Sequence, residues 1–168
     1  VIVDVQEGFV NERSEHVVDK IELFAKEWEA SGRRVVATRF VNPPGSQYER
    51  LIRWTRVRSA PETNLMPQIA SLSPVVIEKT TYTSLTPELR DLVGEPFSGA
   101  IFICGIATDG CVLKTAVDAF EIGWTPHVLS DLCASHAGEE IHEAGLLLTG
   151  RFIGVDQLER SDDLKERL

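Results

Sequence analysis

Asp4, Lys79 and Cys111 are the three side chains of this sequence whose chemistries complete one another. A cysteine attacks a carbonyl carbon as its thiolate, so it needs a base to take the proton and a cation to hold the anion. An aspartate and a lysine supply those two functions. Asp4 closes the apolar run Val-Ile-Val, Lys79 closes Val-Val-Ile-Glu, and Cys111 follows Ala-Ile-Phe-Ile-Cys after the turn Gly105-Ile-Ala-Thr-Asp-Gly110. The residues after Cys111 have helical periodicity, so the expected address of the thiol is a helix start. Partial positive charge and unpaired N–H groups there, with a nearby cation, lower a thiol from about 8.5 by one to several units.

Short apolar runs alternating with helical patterns must position these groups, and that rhythm predicts an α/β fold: three layers, α/β/α, around a six-stranded parallel sheet. The predicted strands are 1–5, 34–40, 74–78, 100–104, 126–130 and 152–155. Val17, Val18, Ile21, Phe24, Ala25 and Trp28 share one face of a first helix that Gly32 closes. Thr86-Pro87 reads as a helix start with Gly94 as its stop, and Asp109 as the cap of the helix after Cys111, which ends at Gly123. A last helix is predicted over 138–148. Residues 41–73, rich in proline and arginine, read as an insert or lid over one end of the sheet, and 159–168 as a charged tail that packs on a neighbour or frays. Ligands of an open α/β sheet collect at the carboxyl ends of its strands. If the first, third and fourth strands are neighbours, carboxylate, ammonium and thiol meet above one edge.

Each residue alone has a plain structural explanation: a loop-capping aspartate, a solvated lysine, a cysteine that packs as a small hydrophobe. Independent structural roles would not require all three to share one edge, and their coincidence is what points to a site. Phe9, Trp54 and Tyr82 are candidate pocket walls, with core packing as the alternative. Arg53, Arg56 and Arg58 are candidates for a substrate carboxylate, a neighbouring subunit or a solvated face. His136 follows the fifth strand, where a surface or loop role is preferred to a pocket role. Cys104 and Cys133 read as structural.

With 168 residues, 43% of them hydrophobic, the sequence is expected to form one domain over 1–168 without disulfide or metal support. A formal charge of −9 argues against broad nucleic-acid or anionic-membrane surfaces, which need clustered lysine and arginine, and leaves small molecules as the expected partners. Three cysteines without framework spacing suggest free thiols and a cytoplasmic protein. No run approaches the roughly 20 apolar residues of a membrane span, and no signal-peptide pattern precedes the first strand. The sequence opens in Val-Ile-Val without methionine, so upstream residues are expected. His16, His127, His136 and His142 lack zinc-like spacing.

Val-Asp-Val-Gln with Phe9 downstream, Glu-Lys-Thr-Thr-Tyr-Thr-Ser-Leu, and above all Cys-Gly-Ile-Ala-Thr-Asp-Gly-Cys-Val resemble, in order, the three sequence blocks of the isochorismatase-like cysteine hydrolases. Nicotinamidases and N-carbamoylsarcosine amidohydrolases belong to that superfamily. The resemblance implies a triad of Asp4, Lys79 and Cys111 and a cis peptide between Ile106 and Ala107. It also implies an oxyanion hole from the main-chain N–H groups of Ala107 and Cys111, and a dimer or tetramer. It departs in two places. Gln6 is followed by Glu7 and Gly8 where many relatives read Asn-Asp. The stretch after the second strand, Thr-Arg-Phe-Val-Asn-Pro-Pro, lacks the aspartate and paired histidines of nicotinamidases, so no metal and no cofactor are expected.

The leading expectation is cleavage of a small amide-type C–N bond through a thioester. The alternative is isochorismatase-type vinyl ether hydrolysis with Asp4 as acid and no covalent step; the thiol at 111 favours the amidase. A receiver-type signalling module fails, because it needs clustered acids at the first strand and another after the third, where Lys79 stands. A catalytically silent binding protein is the remaining non-enzymatic reading.

Overall fold

The computed structural model describes residues 1–94 and 99–165. Six strands form one sheet: β1 (Ile2–Val3), β2 (Val36–Phe40), β3 (Val75–Lys79), β4 (Ala100–Ile106), β5 (Thr125–Ala134) and β6 (Leu158–Glu159). They run parallel in the order β3-β2-β1-β4-β5-β6. The chain winds outward from β1 to β3, then restarts on the other side of β1 with β4. The carboxyl ends of β1 and β4 therefore flank the point where the winding reverses, the usual crevice of an open α/β sheet.

Seven helices flank the sheet among the described residues: α1 (Val18–Ala30), α2 (Gln47–Ile52), α3 (Pro67–Ser71), α4 (Pro87–Val93), α5 (Leu113–Glu121), α6 (Glu139–Ile153) and α7 (Ser161–Lys165). Ile21, Phe24 and Ala25 on one stripe of α1 are buried, as their spacing requires. Thr86 caps α4 by accepting a hydrogen bond from the Leu89 N–H at 3.3 Å, with Pro87 in the first turn. Val3, Ile103, Val128 and Leu129 are sealed from solvent, which is why β4 and β5 read as unbroken apolar runs. Gly105 pairs with Val3, and a Cβ at that position would collide with the Val3 carbonyl oxygen, so only glycine lets β4 approach β1 this closely.

Several boundaries differ from expectation: β1 is confined to Ile2–Val3, and the helix after Cys111 ends at Glu121. Residues 152–155 are not the sixth strand: α6 continues to Ile153, and β6 is the two-residue pairing of Leu158 and Glu159 with Val128 and Leu129. β5 extends to Ala134. Asp109 does not cap the helix after Cys111; the turn 108–112 is π-helical, and Ala107, which has no side-chain acceptor, stands at its N-cap. Of the tail, residues 166–168 lie outside the described residues. Among the described residues no helix is long and apolar enough to cross a membrane.

Candidate active site

Asp4 sits one residue beyond β1 with φ at 48°, a left-handed conformation that ends the strand and turns the carboxylate into the crevice. Its Oδ1 accepts a 2.7 Å hydrogen bond from the Thr38 hydroxyl on β2, and its Oδ2 faces Lys79 Nζ at 2.6 Å. Both side chains of that ion pair are 0% exposed. Lys79 also donates to the Thr81 and Tyr82 carbonyls at 2.9 and 3.0 Å, so its ammonium is fixed on three sides. Its Nζ lies 5.3 Å from the Phe40 ring centroid, an additional attraction for a cation.

Cys111 closes the triangle. Its thiol is within hydrogen-bonding reach of both the Asp4 carboxylate and the Lys79 ammonium, and it opens onto the pocket. The peptide between Ile106 and Ala107 is cis, and Ala107 lines the same pocket. Two neighbours fix the nucleophile's turn. The Thr115 hydroxyl donates to the Cys111 carbonyl at 2.6 Å and accepts from the Ser84 N–H at 2.9 Å, and a Cβ on Gly145 of α6 would lie 2.8 Å from the Asp109 nitrogen.

The expectation of a lowered thiol pKa is overturned. Burial pushes the Cys111 thiol up, the Asp4 carboxylate adds to the rise, and Lys79 only partly opposes them. Removing a thiolate from water outweighs the ammonium and the helix start. Cys111 therefore rests as a thiol beside its base. Cys104 and Cys133 are buried free thiols as well; desolvation raises Cys104 to about 11 and holds Cys133 well above the ordinary thiol range. These two have a consequence for stability. In the unfolded chain a thiol titrates near 8.5. The native fold disfavours the deprotonated form, so the unfolded state gives up protons first as pH rises. Stability is complete below about pH 8.5 and falls through the window toward pH 11. Urea midpoints are expected to decline across that range, and Cys104→Ala to recover roughly 3 kcal/mol of the loss at most. A flat midpoint in the wild type would contradict this.

The pocket above the triangle has a volume of about 660 Å³. Phe9, Trp54 and Tyr82 all line it, as do Phe40, Tyr48 and His136, which composition and spacing did not single out as walls. The insert at 41–73 contributes Tyr48 of α2 and Trp54. Phe9 stacks on Trp54 at 5.8 Å and on His136 at 5.8 Å, while Tyr48 meets Phe40 and Tyr82 edge-on at 5.2 and 5.0 Å. His136 is exposed at the rim, and both the surface and the pocket position are therefore correct for it. Arg56 pairs with Glu62 and Arg58 with Glu49, and none of Arg53, Arg56 and Arg58 lines the pocket. A separate cavity of about 150 Å³ between α1 and the sheet is lined by core residues such as Ile21, Trp28 and Leu129 and holds no catalytic trio.

The residues after β2 do not fit a metal centre. Asn42, the last polar side chain of that stretch, has both Nδ2 hydrogens committed to the Trp54 and Arg56 carbonyls and its Oδ1 accepting from Ser46. Among the described residues a metal-capable cluster, Glu139, His142 and Glu143, lies on α6 and shares no residue with the pocket.

The isochorismatase domain family matches residues 1–153, and the chain belongs to that family. It is the hydrolase superfamily whose three blocks the sequence resembles. Isochorismatase domain-containing protein 2 of Xenopus laevis is 38% identical over 60 residues, covering 35% of this chain and 29% of that protein. The sequence relatives of this kind are matched over between 29% and 52% of their own length. Among solved structures, an isochorismatase-like hydrolase from Alkaliphilus metalliredigens superposes with a TM-score of 0.82 at 19% identity, covering 99% of this chain and 96% of that one. N-carbamoylsarcosine amidase from Thermoplasma acidophilum does so with a TM-score of 0.80 at 20% identity, covering 96% and 94%. At such identities the likeness is one of fold.

Proposed function

We propose that this chain is a cysteine hydrolase that cleaves a small non-peptide amide through a thioester. The observation that carries the reading is the convergence of buried Asp4 and Lys79 on Cys111, which lines the pocket. Because the thiol rests protonated, attack and proton transfer are coupled: Sγ bonds to the substrate carbonyl carbon as its proton passes to Asp4. The main-chain N–H groups of Ala107 and Cys111 take the oxyanion. Asp4 then gives its proton to the departing nitrogen as the C–N bond breaks. Water, deprotonated by the same carboxylate, cleaves the thioester to release the acid and restore the thiol. Lys79 changes no bond; it holds the carboxylate in place and offsets negative charge. The superposition on an amidase fits this chemistry. Incubation with a panel of small amides and with isochorismate separates the classes, since ammonia or amine reports the amidase and pyruvate the vinyl ether reaction. Neither product from any compound would favour a binding protein.

Self-association of the chain belongs to the same proposal. On α6 Ile141, Leu148 and Phe152 share one exposed apolar face, and Leu147, 75% exposed, stands roughly 100° round the helix from Leu148. Glu143, Leu147 and Arg151 are spaced four apart on its exposed side. A two-fold axis through Leu147 sets Glu143 against the partner's Arg151 and buries the leucines between antiparallel helices. Leu147→Asp is expected to convert a dimer into monomers in sedimentation velocity; a wild type that sediments as a monomer would remove the assignment. The three free thiols fit a reducing compartment such as the cytoplasm.

A further inference from the structure

We propose that the pocket selects amides whose non-reacting end carries a positive charge, an alkylated ammonium above all, which the aromatic box encloses and Asp109 pairs. The inference rests on the amide hydrolase reading and adds the identity of the distal group.

Two independent features of the pocket carry it. The first is the box itself. Phe9, Phe40, Tyr48, Trp54 and Tyr82 line a single cavity and form a connected series of rings with centroids 5 to 6 Å apart. Faces of tryptophan and tyrosine attract ammonium groups, and several rings around one cation are the recurring solution for quaternary ammonium ligands.

The second is the balance of charge on the lining. Lys79 is spent on Asp4, and Lys114 on Asp118 one helical turn away. No arginine lines the cavity among the described residues. His136 is held toward its neutral form by desolvation, although Asp109 opposes this. Asp109 is the charge left over. It is exposed on the lining and has no ion-pair or hydrogen-bond partner among the described residues. Burial is the main cause of the raised Tyr82 phenol, and Asp109 adds to that rise and also acts on the His136 ring. A substrate carboxylate would meet this negative charge, and the lysine on the lining, Lys114, already faces Asp118. A neutral ring would stack on the box but leave Asp109 unused. An ammonium group uses both.

The probes are ω-trimethylammonio alkanamides of graded spacer length, each matched to its tert-butyl isostere and to the corresponding ω-carboxylate. Binding is measured by calorimetry on Cys111→Ala, and kcat/KM on the wild type. At the best spacer the cation is expected to bind roughly ten-fold tighter than the isostere, with the carboxylate weakest. Asp109→Asn should cut the cation-to-isostere ratio by about five- to ten-fold, and Asp109→Lys should invert it. Equal binding of cation and isostere, a ratio unmoved by Asp109→Asn, or no binding of any cationic probe overturns the proposal. Hydrolysis of the neutral amides without charge discrimination would sink this inference and leave the hydrolase reading standing. Selective cation binding without turnover of any amide by the wild type would do the reverse.

Discussion

Cys111→Ala is expected to lower amide turnover by roughly 10⁴-fold or more while leaving the fold unchanged. The substitution removes one sulfur from a side chain that is 9% exposed and faces a cavity on one side, so little packing is lost. All the chemistry proposed for the site passes through that sulfur, because the other two cysteines are buried away from the pocket lining and have no part in it. Intact-mass measurement during turnover gives the direct readout. The wild type should gain the mass of the acyl group, the variant should gain nothing, and circular dichroism spectra of the two should superpose. Cys111→Ser should fall between them, since a hydroxyl beside the same base is a poorer nucleophile. Undiminished turnover in the alanine variant would remove the thioester and return the vinyl ether reading, which needs only Asp4. Because the resting thiol is raised by burial, selective alkylation near pH 6 does not identify this nucleophile. The acyl adduct does.

What could be read in the sequence follows from the range of the forces involved. The carboxyl-end rule located Asp4, Lys79 and Cys111 because strand ends are visible as the last residue of an apolar run, and the topology then decides which ends are neighbours. β4 was legible for the same reason, as five of its seven residues are buried and the run has no polar alternation. β6 was not. A two-residue strand has no period, and the apolar residues beside it, Phe152 and Ile153, complete the fifteen-residue α6 instead. Thr38 carries no signal in Val-Ala-Thr-Arg-Phe, and its role as the hydrogen-bond anchor of Asp4 exists only once β2 lies beside β1. Tyr48 and Phe40 become pocket walls through the path of the insert, which its composition does not encode. The thiol's titration is the clearest limit. Its local sequence announces a helix start, but the cost of desolvation depends on everything packed around it.

Asp4→Asn carries the other large effect, because it strikes stability and chemistry together. The variant leaves the Lys79 ammonium sealed from solvent opposite a neutral amide. Breaking a buried pair from one side typically costs about 3–5 kcal/mol, since the remaining charge has lost both water and its partner. The main-chain acceptors at Thr81 and Tyr82 still receive the lysine, which places the expected loss toward the lower end of that range. Lys79→Met should be comparably harmful for the mirrored reason: Asp4 keeps Thr38 but has no cation. The double variant Asp4→Asn, Lys79→Met removes both charges, and the two losses should not add. Its urea midpoint is expected to lie above that of either single variant, in line with the strong coupling of neighbouring buried groups. Catalysis should behave in the opposite way. Each variant lacks the base, the cation that supports it, or both, so each should lose turnover to a similar degree, and the regained stability of the double variant should restore none of it. Additive stability losses would show that the two groups do not act as a pair. Activity that tracks stability across the set would show that Asp4 and Lys79 only hold the fold together.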